Sequence, residues 1–586
     1  MRILGKNAEF HRHTIYSFFL LKIKFIRYNI GMYIRRVTRK NKDGTTVAYL
    51  QLAHNEWDPK AKYAKAKVIY SFGREDEVDR AVLERLAKSI SRFLSPEQAW
   101  EVETLTGEAS DDFQFQSCKH LGGVWLLDQL WRQLGLGEIL HSLFTSRHHQ
   151  ISLERLIFAM VANRALHPSS KLAMEEWVEK DVYIPHLPQA ASHQLYRAMD
   201  ELLAVQPELE RQVFHAVADL LNLEVDLIYF DTTSSYFEVD PSETPEGESL
   251  RKQGFSKDKR PDLVQIVIGL AVTREEVPIR AWVWPGNTMD MTVIKQVKQD
   301  LIGWKLGRVI SVMDRGFSSE ENLRILQQAG GHYIVGEKMR SGKAAVKEAL
   351  SRRGRYHEVD ENLHIKEIIV GDGEARQRYV LVYNPSEAER QRKEREKLLE
   401  SLKEELEGLR QLPNEAHHKA TCRLRSHPSY GKYLRQLKDG TLRIDKQAVR
   451  DAEKYDGKYL IRTSDDTLSA EDVAIGYKQL VDIEQAFRTL KSTLELRPMY
   501  HRLEDRIRAH VLLSWLALLL VRIVEIRTHE SWPKVRDECE RLMLGHFSSK
   551  NGDLYQRTEL TAKQAQFFAA LGLEPPPKIL GIHPRA

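Results

Sequence analysis

Cysteine is scarce in this chain: 586 residues contain three, Cys118, Cys422 and Cys539. They are too few and too scattered for a disulfide framework or a Cys-rich zinc site, and they fit a reducing cytoplasm. The histidine pairs His148-His149 and His417-His418 lack partners at metal-ligand spacing, which sets zinc aside. Long hydrophobic runs are missing too. The longest, Val511 to Val521, lies between His510 and Arg522 and falls short of the ~20 residues of a membrane-spanning helix, so a buried core helix is expected there. Repeats and low-complexity tracts are absent, and no tryptophan occurs between Trp304 and Trp515. With 42% hydrophobic and 29% charged residues, disordered and membrane classes are set aside in favour of a soluble globular chain with several domains.

Net charge is also small, at +5, but it is unevenly placed. Residues 1–70 carry 15 basic and 4 acidic side chains, and the remainder is net acidic. Residues 1–31 alone carry 6 basic and 1 acidic side chains. Charge interrupts their apolar stretch and no small-residue cleavage site follows, so a signal peptide is not expected. We read them as an upstream extension or mis-called start, with the natural start at Met32. A chain starting there would be formally neutral.

Residues 32–74 read as a basic β-rich unit, with short β-branched and aromatic runs separated by Asp43-Gly44 and Asp58-Pro59. Arg35, Arg36, Arg39 and Lys40 are its candidate phosphate contacts. Residues 75–222 turn helical and are expected to form a DNA-binding region. In 223–340 the period switches. Strands are expected at Val225–Asp231, Leu263–Val272, Pro278–Val283, Arg308–Asp314 and His332–Gly336, the last two separated by a helix, which describes a mixed five-stranded α/β sheet. Residues 341–457 read as a β-rich and helical insertion. Its charged helix, 386–412, has leucines at 399, 402, 406 and 409 that suit an arm packed on its own domain. Residues 458–530 return to the core with a helix at Val473–Leu494, and 531–586 form a C-terminal tail.

Asp231 and Asp314 each close an expected strand, and adjacent strand ends place such side chains in one crevice. Two carboxylates brought together repel unless a cation lies between them, and hard oxygen ligands favour Mg²⁺ or Mn²⁺. A turn or N-cap residue is the structural alternative for either one alone. The third candidate is Glu484. At helical spacing Tyr477, Leu480, Glu484, Arg488 and Lys491 share one stripe, while Ile483, Phe487, Leu490 and Leu494 form an apolar anchor beside it. A solvated charged face is the alternative there.

The runs Tyr-Phe-Asp231-Thr-Thr and Val-Met-Asp314-Arg-Gly-Phe, with Tyr477-(2)-Leu480-(3)-Glu484-(6)-Lys491, resemble the DDE transposases of bacterial insertion sequences, in the branch marked Tyr-(2)-Arg-(3)-Glu-(6)-Lys. The resemblance covers about residues 32–530. It implies an RNase H-like core, a β-rich insertion before the glutamate, and Asp231, Asp314 and Glu484 as catalytic metal ligands for two Mg²⁺ (or Mn²⁺) ions, with Asp231 bridging them. It also implies that Tyr477 and Lys491 contact DNA backbone. The family arginine is Leu480 here, and Arg488, one turn beyond Glu484, is the geometric substitute. Lys257 and Arg260, in the loop Gly254–Asp262, are further DNA-contact candidates, while the turn Gly286 to Asp290 is read as structural.

The implied partners are double-stranded DNA, both the element's terminal inverted repeats and target DNA, and a second copy of the chain to pair two ends. The implied setting is the cytoplasm, at the nucleoid, with no membrane. The implied function is metal-dependent strand cleavage and strand transfer. Alternatives are a catalytically inactive, element-derived DNA-binding protein and an RNase H-like nuclease. An aspartate-nucleophile phosphatase fails, because Thr232 and Thr233, rather than an acid two residues on, follow Asp231.

Overall fold

The computed structural model describes residues 33–41, 46–58, 63–78, 113–144, 152–221, 226–238, 249–302, 304, 309–497, 499–549 and 552–584. The expected upstream extension, and residues 79–112 of the region expected to be helical, lie outside these residues.

The chain divides into two compact units. In the first, β1 (Tyr33–Lys40), β2 (Thr46–Asp58) and β3 (Tyr63–Arg74) form an antiparallel sheet in that order. Arg36 on β1 pairs with Glu75 at 2.8 Å.

The second unit is built on one nine-stranded mixed sheet. Its first five strands are β4 (Leu227–Tyr236), β5 (Gln265–Val272), β6 (Pro278–Pro285), β7 (Ile310–Met313) and β8 (His332–Glu337). The others are β9 (His357–Asp360), β10 (Leu363–Val370), β11 (Gln377–Tyr383) and β12 (Lys458–Thr463), and the order is β9-β10-β11-β12-β8-β7-β4-β5-β6. The expected five strands are therefore present, but the sheet is larger. β12 pairs antiparallel with β8, and β11, β10 and β9 follow it outward. β12, from the returning core segment, thus covers the free edge of β8, and β11, β10 and β9 of the insertion continue the core sheet beyond it. Hydrophobic alternation marks these segments as strands but carries no information on which edge they join.

β4 is central. It pairs antiparallel with β5 and parallel with β7, and β7 pairs parallel with β8. Alternate β4 residues face opposite layers. Leu227 and Tyr229 join the core that contains Val473, Ile483 and Phe487, whereas Ile228 and Phe230 join the one that contains Ile294, Val297 and Leu323. Helices therefore cover both faces, which explains the continuous apolar runs at 227–230 and 266–272.

Within the insertion, the leucines of the long helix Pro385–Leu409 are covered by the chain itself, Leu402 by Tyr433 and Leu409 by Leu424 and Leu442. The apolar run at 511–521 lies in the 25-residue helix Glu504–Thr528. That helix is long and apolar enough to cross a membrane, but 83% of its most apolar window is buried inside the protein, against neighbouring helices and β6.

Candidate active site

The parallel register aligns the two aspartates. Phe230 on β4 is paired with Met313 on β7, and Met313 with Val335 on β8. One residue further along stand Asp231, Asp314 and Gly336, side by side at the point where β7 ends. Asp231 is not at a strand end as expected. The polar but β-prone run Thr232-Thr-Ser-Ser235 keeps β4 paired to β5 as far as Tyr236. Asp231 is instead the residue at which β4 loses its parallel neighbour, so its side chain borders a crevice while its backbone stays held. Asp314 occupies the N-cap position of the 3₁₀ turn Arg315–Phe317, yet its carboxylate makes no capping bond. It accepts the Tyr477 hydroxyl at 3.2 Å.

That contact depends on a glycine. A Cβ on Gly336 would lie 2.1 Å from the Tyr477 hydroxyl oxygen and 2.9 Å from Cζ, so only glycine leaves room for the phenol over β8. Burial, and then the negative charge of Asp314, push the Tyr477 phenol well above its usual range.

Two residues join the aspartates. Lys257 Nζ lies 3.7 Å from Asp231 Oδ1 and 3.5 Å from Asp290 Oδ2, and it donates to the Thr232 carbonyl at 2.6 Å and hydroxyl at 2.9 Å. The Thr232 hydroxyl donates to Asp290 Oδ1 at 2.5 Å. The Asp231 carboxyl is pushed up to about 6, first by burial and further by Asp290 and Asp314, against the opposing pull of Lys257 and the Thr232 amide. A carboxyl group raised by burial beside two further carboxylates, with an ammonium seated between two of the three, marks a place suited to a cation. The donors are hard oxygens, as Mg²⁺ or Mn²⁺ requires.

Asp290 was missed as a site residue because Gly286 to Asp290 reads locally as a turn. Its partner Lys257 comes from a loop distant in sequence, and their meeting needs a close backbone approach. A Cβ on Gly254 would lie 2.0 Å from the Gly286 carbonyl oxygen, and Gln265 Nε2 donates at 3.0 Å to both the Phe255 and Gly286 carbonyls. Two adjacent glycine-containing loops were the available signal.

The expected helix Val473–Leu494 is not continuous. It divides into Ala470–Lys478 and Leu480–Arg488, with Gln479 between them accepting the Tyr229 hydroxyl at 2.9 Å, and it ends in a π turn at Thr489–Thr493. Ile483, Ala486, Phe487 and Leu490 anchor the second half in the core, where it packs on β4 and β5. Glu484 and Arg488 are exposed, and neither side chain has a partner among the described residues. Leu480 packs against the core. Lys491 lies within the π turn, where the helical spacing changes. It pairs with Asp258 at 2.9 Å, and Arg497 pairs with the same aspartate at 2.8 Å. Arg260 pairs with Asp262 at 2.9 Å. Among the described residues no three His, Cys, Asp or Glu lie close enough together to hold a metal ion, so Glu484 is not gathered with the two aspartates.

Residues 239–520 match the family described as transposase DDE domain, and residues 34–99 match the IS1634 family transposase, N-terminal domain. The first match begins after Asp231 and includes Asp290, Asp314 and Glu484. No curated protein matches the chain. Among solved structures, the piggyBac transposase synaptic complex with hairpin DNA, determined by cryo-EM, is similar at 10% identity and a TM-score of 0.32, over 72% of this chain and 79% of that one. By its two family matches, the chain belongs to the DDE transposases of insertion sequences.

Proposed function

We propose that this transposase binds the terminal inverted repeats of its own insertion sequence and carries out strand cleavage and strand transfer with Asp231, Asp314 and Glu484 as metal ligands. The observation that carries the proposal is the register that sets Asp231 beside Asp314, with the Lys257 ammonium drawn into the carboxylates. The strand order β6-β5-β4-β7-β8, antiparallel among the first three and parallel thereafter, supports an RNase H-like core. The Tyr-(2)-Arg-(3)-Glu-(6)-Lys branch fits with Leu480 at the arginine position.

Asp231 and Asp314 would hold the divalent cations, two Mg²⁺ or Mn²⁺ ions, with Glu484 supplied from the helix over β4 and β5. Metal at such a site lowers the pKa of a bound hydroxyl and stabilises charge on the leaving oxygen of the phosphodiester. The chain's own groups do the rest. The Tyr477 hydroxyl occupies one lone pair of Asp314 Oδ1 and so fixes the carboxylate's orientation. Thr232 and Lys257 hold Asp290. Arg488, exposed one turn beyond Glu484, is placed for a phosphate, as is Lys491 once it leaves Asp258. Lys257 and Arg260 would follow as their loop meets DNA. Pairing of two ends implies a homodimer.

The test is cleavage of end-containing DNA by purified D231A, D314A and E484A proteins. All three should retain end binding and lose Mn²⁺-dependent cleavage. Cleavage retained by all three would overturn the assignment, and binding without cleavage by the unmodified chain would favour an inactive DNA-binding protein.

A further inference from the structure

A second ionisable cluster lies apart from the carboxylates, where helices Leu153–Leu166, Lys171–Glu176 and Ser192–Ala204 meet helix Glu504–Thr528. Its members are basic. Arg164 is 5% exposed, Lys171 3% and His510 5%. The Arg164 guanidinium donates to the carbonyls of Glu495 at 3.1 Å and Ser169, and its Nε is buried without a partner. The His501 and His510 rings are 5.1 Å apart, and Arg506 lies 4.5 Å over the Tyr196 ring, which abuts His501. Lys171 has no hydrogen bond or ion pair among the described residues.

The electrostatics agree with this geometry. Burial, reinforced by Arg164, pushes the Lys171 ammonium down to about 7, and burial with the charges of Lys171, Arg164 and Arg506 pushes His501 down to about 4. Among the described residues no carboxylate is interior to the cluster. Asp200, 3.5 Å from Arg506, has a side chain 51% exposed, and Glu495 is exposed at the surface. Unpaired buried cations are strongly disfavoured, and native proteins resolve them by neutralisation or by a bound counter-ion. Arginine resists neutralisation, and its planar fork suits oxyanions.

We propose that Arg164, Lys171, His501, Arg506 and His510 form a binding site for a phosphate-class oxyanion, filled in the working protein by one backbone phosphodiester of the bound DNA. Arg164 already grips the carbonyl of Glu495, just beyond the π turn that ends the Glu484-bearing segment. An anion held here would tie that segment to the helical region and couple DNA docking to the placement of Glu484. The DNA half of the proposal rests on the end-binding reading above; the anion half does not.

The test uses the full-length chain. Inorganic phosphate, titrated at ionic strength matched with chloride, should raise Tm saturably in the unmodified protein. K171M should weaken phosphate binding at least about tenfold, and K171R should restore most of it. K171M should also melt above the unmodified chain when phosphate is absent, since it removes an uncompensated buried ammonium. No phosphate response beyond that of chloride, or an undiminished response in K171M, overturns the site. If K171M fails to fold, K171R decides: a folded K171R without phosphate binding contradicts a site read by charge. The slope of end-DNA affinity against salt then separates the sources. A phosphodiester predicts that K171M lowers the slope by about one, whereas an unchanged slope with phosphate binding lost overturns the DNA assignment in favour of free phosphate.

Discussion

The two aspartates and the glutamate are held by different kinds of structure. Asp231 and Asp314 sit on adjacent parallel strands whose register is fixed by buried residues on both faces, so their alignment follows from the sheet itself. Glu484 rides on the second half of a broken helix, exposed and without a partner among the described residues, although Ile483, Ala486 and Phe487 anchor its backbone. A sheet can hold two repelling carboxylates because its hydrogen bonds and core oppose their separation. The helix carries the proposed third ligand and leaves its side chain exposed. On the proposed assignment, the difference teaches that the site is built in two parts, one preformed by the sheet and one to be completed.

The largest effect should come from removing either part. D231A, D314A and E484A should each lower the Mn²⁺-dependent cleavage rate by at least about a hundredfold, measured on end DNA, with binding by gel shift retained. A rate near that of the unmodified chain in E484A alone would detach the helix from the site and leave the strands.

A smaller effect is expected from the residues that brace the preformed part. D290N should weaken Mn²⁺ binding about tenfold, since Asp290 stands across Lys257 from Asp231. K257M should strengthen it, because the ammonium competes with the metal for the same carboxylate. Calorimetric titration of the DNA-free chain reads both. Opposite signs would support a competing resident cation, and two losses of equal size would make Lys257 a structural support.

The pH dependence of stability probes the burial of Asp231 and, to a smaller extent, its repulsion by Asp290 and Asp314. Folding raises the Asp231 carboxyl to about 6, so between the ordinary aspartate value and that one the folded chain binds more protons than the unfolded chain. The contribution is therefore most favourable at low pH and declines as pH rises from about 4 through 6. D231N should remove this decline and stabilise the metal-free chain above pH 6 by on the order of 1 kcal/mol, read as the difference in Tm between pH 4.5 and 7.5. A larger pH-dependent loss in D231N than in the parent would contradict it.

The smallest effect should follow Y477F, which removes one 3.2 Å hydrogen bond to Asp314. A loss of about 1 kcal/mol or less is expected, seen as a cleavage rate a few-fold lower with little change in end binding. A large loss of binding would move Tyr477 from the acid site to the DNA interface.

Much of this was legible in the sequence because it is local. The strand segments read from apolar runs are present, although Leu227–Tyr236 continues five residues past its expected end, and the apolar run at 511–521 lies in a helix that begins seven residues earlier, at Glu504. Asp231 and Asp314 stood out because apolar runs lead into acids. Non-local features stayed hidden. Four more strands extend the sheet through edge pairing, which periodicity does not encode. The break at Gln479 goes with a hydrogen bond from Tyr229, 250 residues away. Asp290 and Lys257 meet only because Gly254 and Gly286 allow two loops to touch, and Lys491 falls in a π turn that 3.6-residue spacing cannot foresee.

The most direct test of a preformed pair awaiting a third ligand is Mn²⁺ affinity of the DNA-free, full-length chain, compared across D231N, D314N and E484Q by electron paramagnetic resonance of the unbound ion. The two-part site predicts at least about tenfold weaker binding in D231N and D314N and less than about threefold change in E484Q. Equal losses in all three would mean that the helix already completes the site, and undiminished binding in D231N would contradict the site itself.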